Sequence, residues 1–259
     1  MRMAPGLPEF PPGGYRWFTS PKRVRARIGG TFVAESDAPR MMIPERGPVR
    51  TYLFPRDAVR EDLIVGDGRT RDTPFGTVRD VDLEVDGRVV EAVLRYHDKP
   101  KDRELVDLVA VHWDRVDAWY EEDEEVFVHP RDPFHRVDVL RSGRHVVIEV
   151  DGTVVAESRR PTLLFETGLP TRYYLPQTDV RLEHLEPSDT ETACPYKGDA
   201  SYHHVRVGDK THKDLVWCYK TPIDGVLGVQ GLFCFFNERV DLSVDGTPQE
   251  RPDTPWRRE

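Results

Sequence analysis

Short alternations of apolar and polar residues run through most of the chain and are separated by turn dipeptides. Residues 146–150 and 153–156 alternate on either side of Asp151-Gly152, a pair typical of two-residue β-hairpin turns. The same kind of turn signal recurs at Asp86-Gly87, Gly208-Asp209 and Asp245-Gly246. Residues 240–244 give one further strand pattern. The chain is therefore predicted to be mostly β.

Helical periodicity is confined to short stretches. It is present at residues 103–113 and at residues 222–231, where Pro222 suits the first turn of a helix. Residues 182–185 suggest a single turn. We therefore expect curved antiparallel sheets with one short helix in each half of the chain.

The chain contains two diverged copies of one domain at a constant offset, 152 − 30 = 122. Residues 24–36 match residues 146–158, and the register continues without a gap to Leu63 and Leu185. A repeat of this length is a whole domain, because solenoid repeats have periods of about 20 to 50 residues. We predict an N-terminal extension at 1–22, a first repeat domain at 23–128, a linker at 129–144 and a second repeat domain at 145–259.

Composition limits the partners of this protein. The net charge of −9 argues against nucleic acid and anionic membranes, because both require a cationic binding surface. Residues 1–14 are rich in proline and glycine and do not resemble a signal peptide, and no apolar stretch approaches about 18 residues. Three cysteines fit a reducing compartment. We expect a cytosolic protein that binds a small molecule, and its oligomeric state stays open.

The second copy differs from the first by a turn rich in reactive groups. It has Cys-Pro-Tyr-Lys-Gly at 194–198, where the first copy has Thr-Pro-Phe-Gly at 73–76. Proline and glycine favour display of Cys194, Tyr196 and Lys197 on a turn. A thiol beside a cation can act as a nucleophile, and Lys197 can supply that cation or act as an amine nucleophile. A buried structural cysteine beside a surface lysine is an equal alternative.

Arg172 and Tyr174 share one face of a strand pattern close to this turn in sequence. A guanidinium beside phenols is suited to bidentate capture of a carboxylate or phosphate. Arg50 and Tyr52 occupy the same places in the first copy. A structural pairing of Arg172 with Glu157 is therefore an alternative to ligand binding.

Other candidates lie further along the second copy. His203 follows Tyr202 in a strand pattern and can serve as a general base near neutral pH. Trp217 lies in an apolar run and belongs either to the core or to a pocket wall. The histidines and cysteines lack the spacing of a zinc site, and no phosphate-binding glycine loop or dinucleotide motif is present. We therefore expect neither a metal nor a cofactor.

Four sequence motifs resemble a known family. They are Val-Ala-Glu-Ser at 155–158, the stretch 164–176, Cys-Pro-Tyr-Lys-Gly at 194–198 and Phe-Asn-Glu-Arg-Val-Asp at 236–241. Together they resemble the tandem form of the domain of unknown function 427. The resemblance covers residues 23–256 and implies compact all-β domains of the β-tent class without an agreed activity. Members often have Tyr-Trp where this chain has Tyr202-His203.

The family also has a nucleotidyltransferase-like label, but this sequence has no paired-aspartate metal motif near a Gly-Ser signature and so does not support that activity. Our hypothesis is that the second domain binds, and in one version transforms, a small anionic or carbonyl-bearing metabolite. The candidate catalytic residues are Cys194, Lys197, Tyr196 and His203, and the candidate ligand-binding residues are Arg172, Tyr174, Glu157 and Trp217. The alternatives are a non-catalytic ligand-binding or protein-interaction module and a zinc-stabilised β domain, so whether the protein is an enzyme stays open.

Overall fold

The chain divides into two compact units, residues 1–132 and 133–259. The computed structural model describes residues 15–44, 50–73 and 76–257. Each unit has one seven-stranded and one four-stranded antiparallel sheet, which confirms the prediction of a mostly β fold. A membrane-spanning helix would need more length and more apolar character than any helix among the described residues has.

The first unit contains eleven strands among its described residues. They are β1 (Tyr15–Thr19), β2 (Val24–Ile28), β3 (Thr31–Ser36), β4 (Arg40–Pro44), β5 (Thr51–Pro55), β6 (Ile64–Thr73), β7 (Gly76–Val85), β8 (Arg88–Pro100), β9 (Leu108–Val111), β10 (Ala118–Glu121) and β11 (Glu124–Val126). The larger sheet has the order β1-β4-β5-β9-β8-β7-β6, and the smaller sheet has the order β11-β10-β2-β3.

The second unit repeats this arrangement strand for strand. Its strands are β12 (Val137–Arg141), β13 (Val146–Val150), β14 (Thr153–Ser158), β15 (Thr162–Glu166), β16 (Arg172–Leu175), β17 (Leu185–Cys194), β18 (Gly198–Val207), β19 (Lys210–Pro222), β20 (Phe233–Phe235), β21 (Asp241–Val244) and β22 (Thr247–Pro248). The sheet orders are β12-β15-β16-β20-β19-β18-β17 and β14-β13-β21-β22. Each position in these orders corresponds to one position in the first unit.

The predicted hairpin between β13 and β14 is confirmed. Asp151 and Gly152 have φ angles of 48° and 75°, as a type I′ turn requires at both central residues. Glycine relieves the steric cost of positive φ at the second of these positions. The alternating pattern BiBiB of β13 then buries its apolar residues on one face.

The helix predicted at residues 103–113 is wrong. The chain forms a 3₁₀ turn at Arg103–Leu105, strand β9, and another 3₁₀ turn at Trp113–Arg115. All four residues of β9 are buried, because this strand lies between β5 and β8 in the larger sheet. Tertiary pairing thus overrides a short helical periodicity, which cannot by itself be distinguished from a buried strand.

The second unit has its helical segments close to the predicted places. A 3₁₀ segment spans Asp224–Val229, within the predicted stretch 222–231, and a single 3₁₀ turn spans Leu182–His184. Val226 and Val229 of the longer segment are buried against one face of the larger sheet. This 3₁₀ segment therefore covers part of that face.

The core of the second unit draws apolar side chains from both of its sheets. Val146 and Ile148 come from the smaller sheet, and Leu175, Val216 and Phe235 come from the larger one. The other face of the larger sheet carries a second apolar cluster, which consists of Leu164, Tyr174, Ala200, Trp217, Tyr219, Val226, Val229 and Cys234. The larger sheet is therefore apolar on both faces, and the candidate site lies on this second face.

Regular structure extends beyond the predicted domain bounds. Strand β12 falls within the predicted linker, residues 129–144, and β1 falls within the predicted extension, residues 1–22. Each is the edge strand of its larger sheet. The rest of that extension up to residue 14, together with Pro74 and Phe75 of the first copy's turn, lies outside the described residues.

The units differ by one residue in the register of the strand that carries Arg172. By sequence, Arg172 corresponds to Arg50. In the sheet, Arg172 lies opposite Leu164, whereas Met42, the counterpart of Leu164 at 164 − 122 = 42, lies opposite Thr51. A slip of one residue moves every side chain of a strand to the other face of the sheet.

The slip gives two matching tyrosines different surroundings. Tyr52 donates a hydrogen bond of 2.7 Å to Glu121 in the smaller sheet of its unit. Tyr174 instead accepts a hydrogen bond of 3.0 Å from the indole of Trp217 in the larger sheet. Leu53 takes the register position that Tyr174 has in the second unit. The sequence match of these tyrosines is therefore not a structural match.

Candidate functional site

The turn 194–198 connects β17 and β18 at one end of the larger sheet. The N–H of Lys197 donates to the carbonyl of Cys194 at 3.2 Å, which closes the turn. Gly198 has a φ of +97°, and a Cβ there would lie 3.2 Å from the carbonyl oxygen of Thr221. Glycine is thus required where the chain enters β18, and the side chains before it extend from the end of the hairpin.

A cavity of about 270 Å³ lies beside this turn. Its wall is largely aromatic, formed by Tyr174, Tyr202, Trp217, Tyr219, Phe236 and Trp256. Its polar lining comes from Glu166, Arg172, Thr192, Cys194 and Lys197. Five of the predicted site residues, Arg172, Tyr174, Cys194, Lys197 and Trp217, are therefore brought together.

Arg172 is neutralised by a carboxylate within the site. Its Nη1 and Nη2 donate to the two carboxylate oxygens of Glu238 at 2.7 and 2.8 Å. The side chains of this pair are only 7% and 0% exposed. Burial by itself lowers the pKa of Arg172, but the hydrogen bonds to Glu238 outweigh it and the pKa is raised. Arg172 does not pair with Glu157, so that structural hypothesis is wrong in its partner.

Three aromatic rings surround the guanidinium of Arg172. Its central carbon lies 5.4 Å from the ring of Trp217, 5.8 Å from that of Phe236 and 5.7 Å from that of Trp256. Aromatic faces attract a cation within about 6 Å. The arginine is therefore a packed part of the wall, held on its edge by Glu238 and on its faces by rings.

Lys197 is also paired with a carboxylate. Its Nζ lies 2.5 Å from Glu166 Oε2, and Nε2 of His135 lies 2.9 Å from Glu166 Oε1. The side chain of Glu166 is 6% exposed. Burial alone would raise its pKa, but His135 and Lys197 outweigh burial and lower it. Glu166 therefore carries a negative charge that balances the ammonium.

Tyr196 does not line the cavity but packs beside this ion pair. Its ring lies 4.2 Å from that of His135, centroid to centroid. The predicted proton-transfer role of Tyr196 therefore has no support from its position. Of the phenols that do line the cavity, Tyr174 is 1% exposed, and burial raises its pKa well above the usual range. Tyr174 stays protonated and serves as a polar wall group.

The three cysteines have different environments. Cys194 is partly exposed and lines the cavity, whereas Cys218 and Cys234 are 3% and 0% exposed. Burial raises the pKa of both buried thiols. All three are free thiols. Of the two hypotheses for Cys194, display at a pocket therefore fits its place better than burial in the core.

His203 and Glu157 are not part of this assembly. His203 packs edge-on against Phe233, 5.0 Å between centroids, in the core that the two sheets share. Its neighbour Tyr202 lines the cavity, so alternation along β18 directs the imidazole to the other face. Glu157 lies on β14 of the smaller sheet, where it pairs with His145 at 2.7 Å.

The remaining histidines of the second copy are dispersed. His204 contacts Asp214 at 3.3 Å, and His212 contacts Asp151 at 3.1 Å. Across the described ranges, no three His, Cys, Asp or Glu side chains come together as a metal site would require. The arrangement gives the zinc-stabilised alternative no support.

Several residues of the site are not among the candidates from the sequence. Glu166 and Glu238 lie within the quoted motifs, but nothing in their spacing shows which cation each one pairs with. His135 lies in the stretch predicted as linker. Trp256 reaches the cavity from the C-terminal segment, where Thr254 donates a 2.7 Å hydrogen bond to Glu238.

Comparison with protein families gives a match that follows the repeat. A family model described as a domain of unknown function (DUF427) matches residues 16–122 and again residues 138–246. The two matches begin 138 − 16 = 122 residues apart, which is the offset of the duplication. Comparison with curated proteins gives no match.

Proposed function

We propose, from the premise that this chain belongs to the family described as a domain of unknown function (DUF427), that its second unit binds a small, uncharged, planar molecule bearing a carbonyl group. The observation that carries this proposal is the neutralisation of both cations in the cavity by carboxylates of the same unit. Between the two classes that the sequence suggests, an anion and a carbonyl compound, this observation favours the carbonyl compound.

The charge of the cavity argues against a free anion as the ligand. Arg172 gives both terminal nitrogens to Glu238, so its bidentate edge is already occupied. Lys197 is matched by Glu166. An incoming carboxylate would meet two buried carboxylates, and displacing either one from its cation would leave a buried charge unpaired, which costs several kcal/mol by order of magnitude.

The shape and lining of the cavity favour a planar ligand. Its volume of about 270 Å³ lies near the lower end of the range for small-molecule sites. Trp217 and Tyr174 meet edge to face, with an interplanar angle of 88°, and Phe236 lies 4.5 Å from Trp217. Ring pairs in offset or edge-to-face contact add to the stabilisation from burial alone. A small aromatic or conjugated ring can make contacts of the same kind with these wall rings.

Lys197 supplies the polar contact for the carbonyl oxygen. An ammonium carries three donors, and Glu166 accepts one of them. A second donor directed to a ligand carbonyl keeps the ion pair intact, because it adds a hydrogen bond without removing one. Cys194 stands at the same cavity, so its thiol reports occupancy. The same thiols support placement of this function in a reducing compartment, where free cysteines persist.

A matched ligand series tests the proposal. Benzamide, benzoate and benzylamine share one ring and differ in charge, and binding is read as protection of Cys194 from alkylation by iodoacetamide. We expect benzamide to protect Cys194 at lower concentration than either ion does. A preference for benzoate at Cys194, or no protection by any of the three, would contradict the proposal and favour an interaction module.

A pair of neighbouring substitutions controls for indirect effects. Thr192 is exposed and lines the cavity, whereas Glu191 precedes it on β17 and directs its side chain to the other face. Thr192→Trp is expected to fill the cavity and abolish protection by benzamide. Glu191→Trp adds the same bulk on the other face and should leave protection unchanged. Equal behaviour of both variants would argue against this cavity as the binding site.

A further inference from the structure

The first unit has a cavity of about 280 Å³ at the corresponding place on its larger sheet. It is lined from β5, β8 and β9 and from residues 112–114. Arg95 of this wall pairs across the strands with Asp80, and Trp217 pairs with Tyr202 at the same register in the second unit. An arginine and a carboxylate thus replace two aromatic rings on the same framework.

Asp80 fixes one edge of the Arg95 guanidinium. Nε and Nη2 of Arg95 donate to the two oxygens of Asp80 at 2.7 and 3.0 Å. Arg71 lies 3.6 Å and His112 lies 3.4 Å from the same carboxylate. Burial alone would raise the pKa of Asp80, but Arg95 and then His112 outweigh it and hold that pKa at about 2. Asp80 is therefore negatively charged and contacts more than one cation.

The other edge of Arg95 is available to a ligand. Within the described residues, Nη1 of Arg95 makes no hydrogen bond, so the edge formed by Nη1 and Nη2 keeps one N–H donor on each nitrogen. This edge has the fork geometry that matches a carboxylate. Arg172 uses the same edge for Glu238 in the second unit. The two cavities therefore differ in the atoms that they offer to an anion.

The rest of the first cavity offers an apolar surface and a second, carboxylate-paired arginine. Trp113 and Trp119 are stacked at 4.8 Å with an interplanar angle of 6°, and both line the cavity together with Met42. Arg50 also lines it, with Asp132 at 3.2 Å from Nη2. Asp114, a carboxylate of the wall, is exposed at its rim.

We propose that the first unit contains a second binding site, which takes a small organic acid whose carboxylate binds the Nη1–Nη2 edge of Arg95 and whose apolar body lies beside the tryptophans. This site is separate from the one in the second unit and does not depend on it. The duplicated chain then binds two ligands of different charge.

Benzoate is the probe, and the methyl group of Met42 is the reporter. The sequence has four methionines, so ¹³C-methyl labelling gives few signals, and Met42→Leu assigns the one in the cavity. We expect benzoate to shift this signal and benzamide to shift it at least about tenfold less effectively, because the bond to charged Arg95 needs a carboxylate. Absence of a benzoate shift in the wild-type protein would overturn the proposal.

Substitution of the ion pair as a unit tests the role of Arg95. Asp80→Asn with Arg95→Gln removes both charges together, so that neither is left unpaired, and should weaken benzoate binding by about tenfold or more. Arg95→Lys keeps the charge beside Asp80 but lacks the fork, and should also weaken binding. Arg88→Gln removes a cation on the same strand, 58% exposed, and should not. Unchanged benzoate binding in folded Arg95→Lys and in the double variant would overturn the proposal.

Discussion

The two cavities are formed by equivalent strands but differ in how they satisfy charge. In the second unit, Arg172 and Lys197 are closed off by Glu238 and Glu166, and aromatic rings fill most of the wall. In the first unit, Arg95 is held by Asp80 along its Nε–Nη2 edge, and its Nη1 makes no hydrogen bond within the described residues. The duplicated fold thus keeps its sheet order while the pairing of charged side chains in its cavities changes.

The difference between the two cavities arises from two kinds of sequence or register change. One is replacement at a fixed register, as when Asp80 and Arg95 stand where Tyr202 and Trp217 pair. The other is a shift of one residue in β5 relative to β16, which turns Tyr52 away from the face that Tyr174 occupies. Replacement changes the chemistry of one wall position, whereas a slip exchanges a whole set of side chains.

Substitution of Glu238 is expected to cause the largest loss of stability. Glu238→Gln leaves the buried guanidinium of Arg172 without a charged partner, so the free energy of unfolding should fall by about 3 to 5 kcal/mol. Denaturant unfolding of the full chain, followed by tryptophan fluorescence, measures this change. Asp114→Asn, at the matching position of the first copy, removes an exposed carboxylate and should change stability by less than about 0.5 kcal/mol. Equal losses in both variants would contradict the contrast between the units.

Lys197 has no counterpart in the shorter turn of the first copy. Its substitution is expected to lower stability less than substitution of Glu238 does. Lys197→Met leaves Glu166 with His135 alone, so stability should fall by about 1 to 2 kcal/mol. Benzamide should also protect Cys194 less well in this variant. Lys220→Met changes an exposed lysine of the same unit and is the control. If Lys197→Met keeps wild-type affinity for benzamide, the carbonyl contact is assigned to the wrong group.

Substitution of His203 is expected to change stability least, and to raise it rather than lower it. Among the described residues, His203 Nδ1 is buried without a hydrogen-bond partner, so His203→Phe should stabilise the protein by about 1 kcal/mol. Benzamide binding should not change, because the imidazole lies on the other face of the sheet. Loss of benzamide binding in this variant would restore His203 as a site residue.

The same substitution has a pH dependence. Burial lowers the pKa of His203, and Lys220 and His204 lower it further. The folded protein therefore binds fewer protons than the unfolded chain, so this histidine destabilises the fold as pH falls through its unfolded pKa of about 6.5. The advantage of His203→Phe should be larger at pH 5 than at pH 7. A constant difference between the two pH values would contradict this assignment.

Local patterns in the sequence predicted the parts of the fold that depend on neighbours in the chain. Asp-Gly dipeptides predicted hairpins because positive φ at two successive residues strongly restricts residue type. The region of β9 lies in a stretch, residues 103–113, whose periodicity predicts a helix, and only pairing with β5 and β8 makes its four buried residues a strand. The slip of β5 was hidden for a related reason, since an ungapped sequence match carries no information about strand register.

Five of the eight predicted site residues line the cavity, but their pairings were not predicted. Cys194, Lys197, Arg172, Tyr174 and Trp217 are reactive or aromatic residues near one another in sequence or pattern, and they do meet. Their carboxylate partners could not be predicted, because Glu238 lies 66 residues from Arg172 and Glu166 lies 31 residues from Lys197. Those pairings decide the charge of the cavity, on which the proposed class of ligand rests.

The most direct test of two sites for ligands of different charge follows the Met42 signal and the alkylation of Cys194 in the same protein. Wild-type protein with ¹³C-labelled methionine methyl groups is titrated with benzoate and, separately, with benzamide, while alkylation of Cys194 is measured at each step. Benzoate should move the Met42 signal without protecting Cys194, and benzamide should protect Cys194 without moving Met42. If both ligands act alike on both reporters, or if their effects are exchanged, the assignment of ligand charge to the two cavities is wrong.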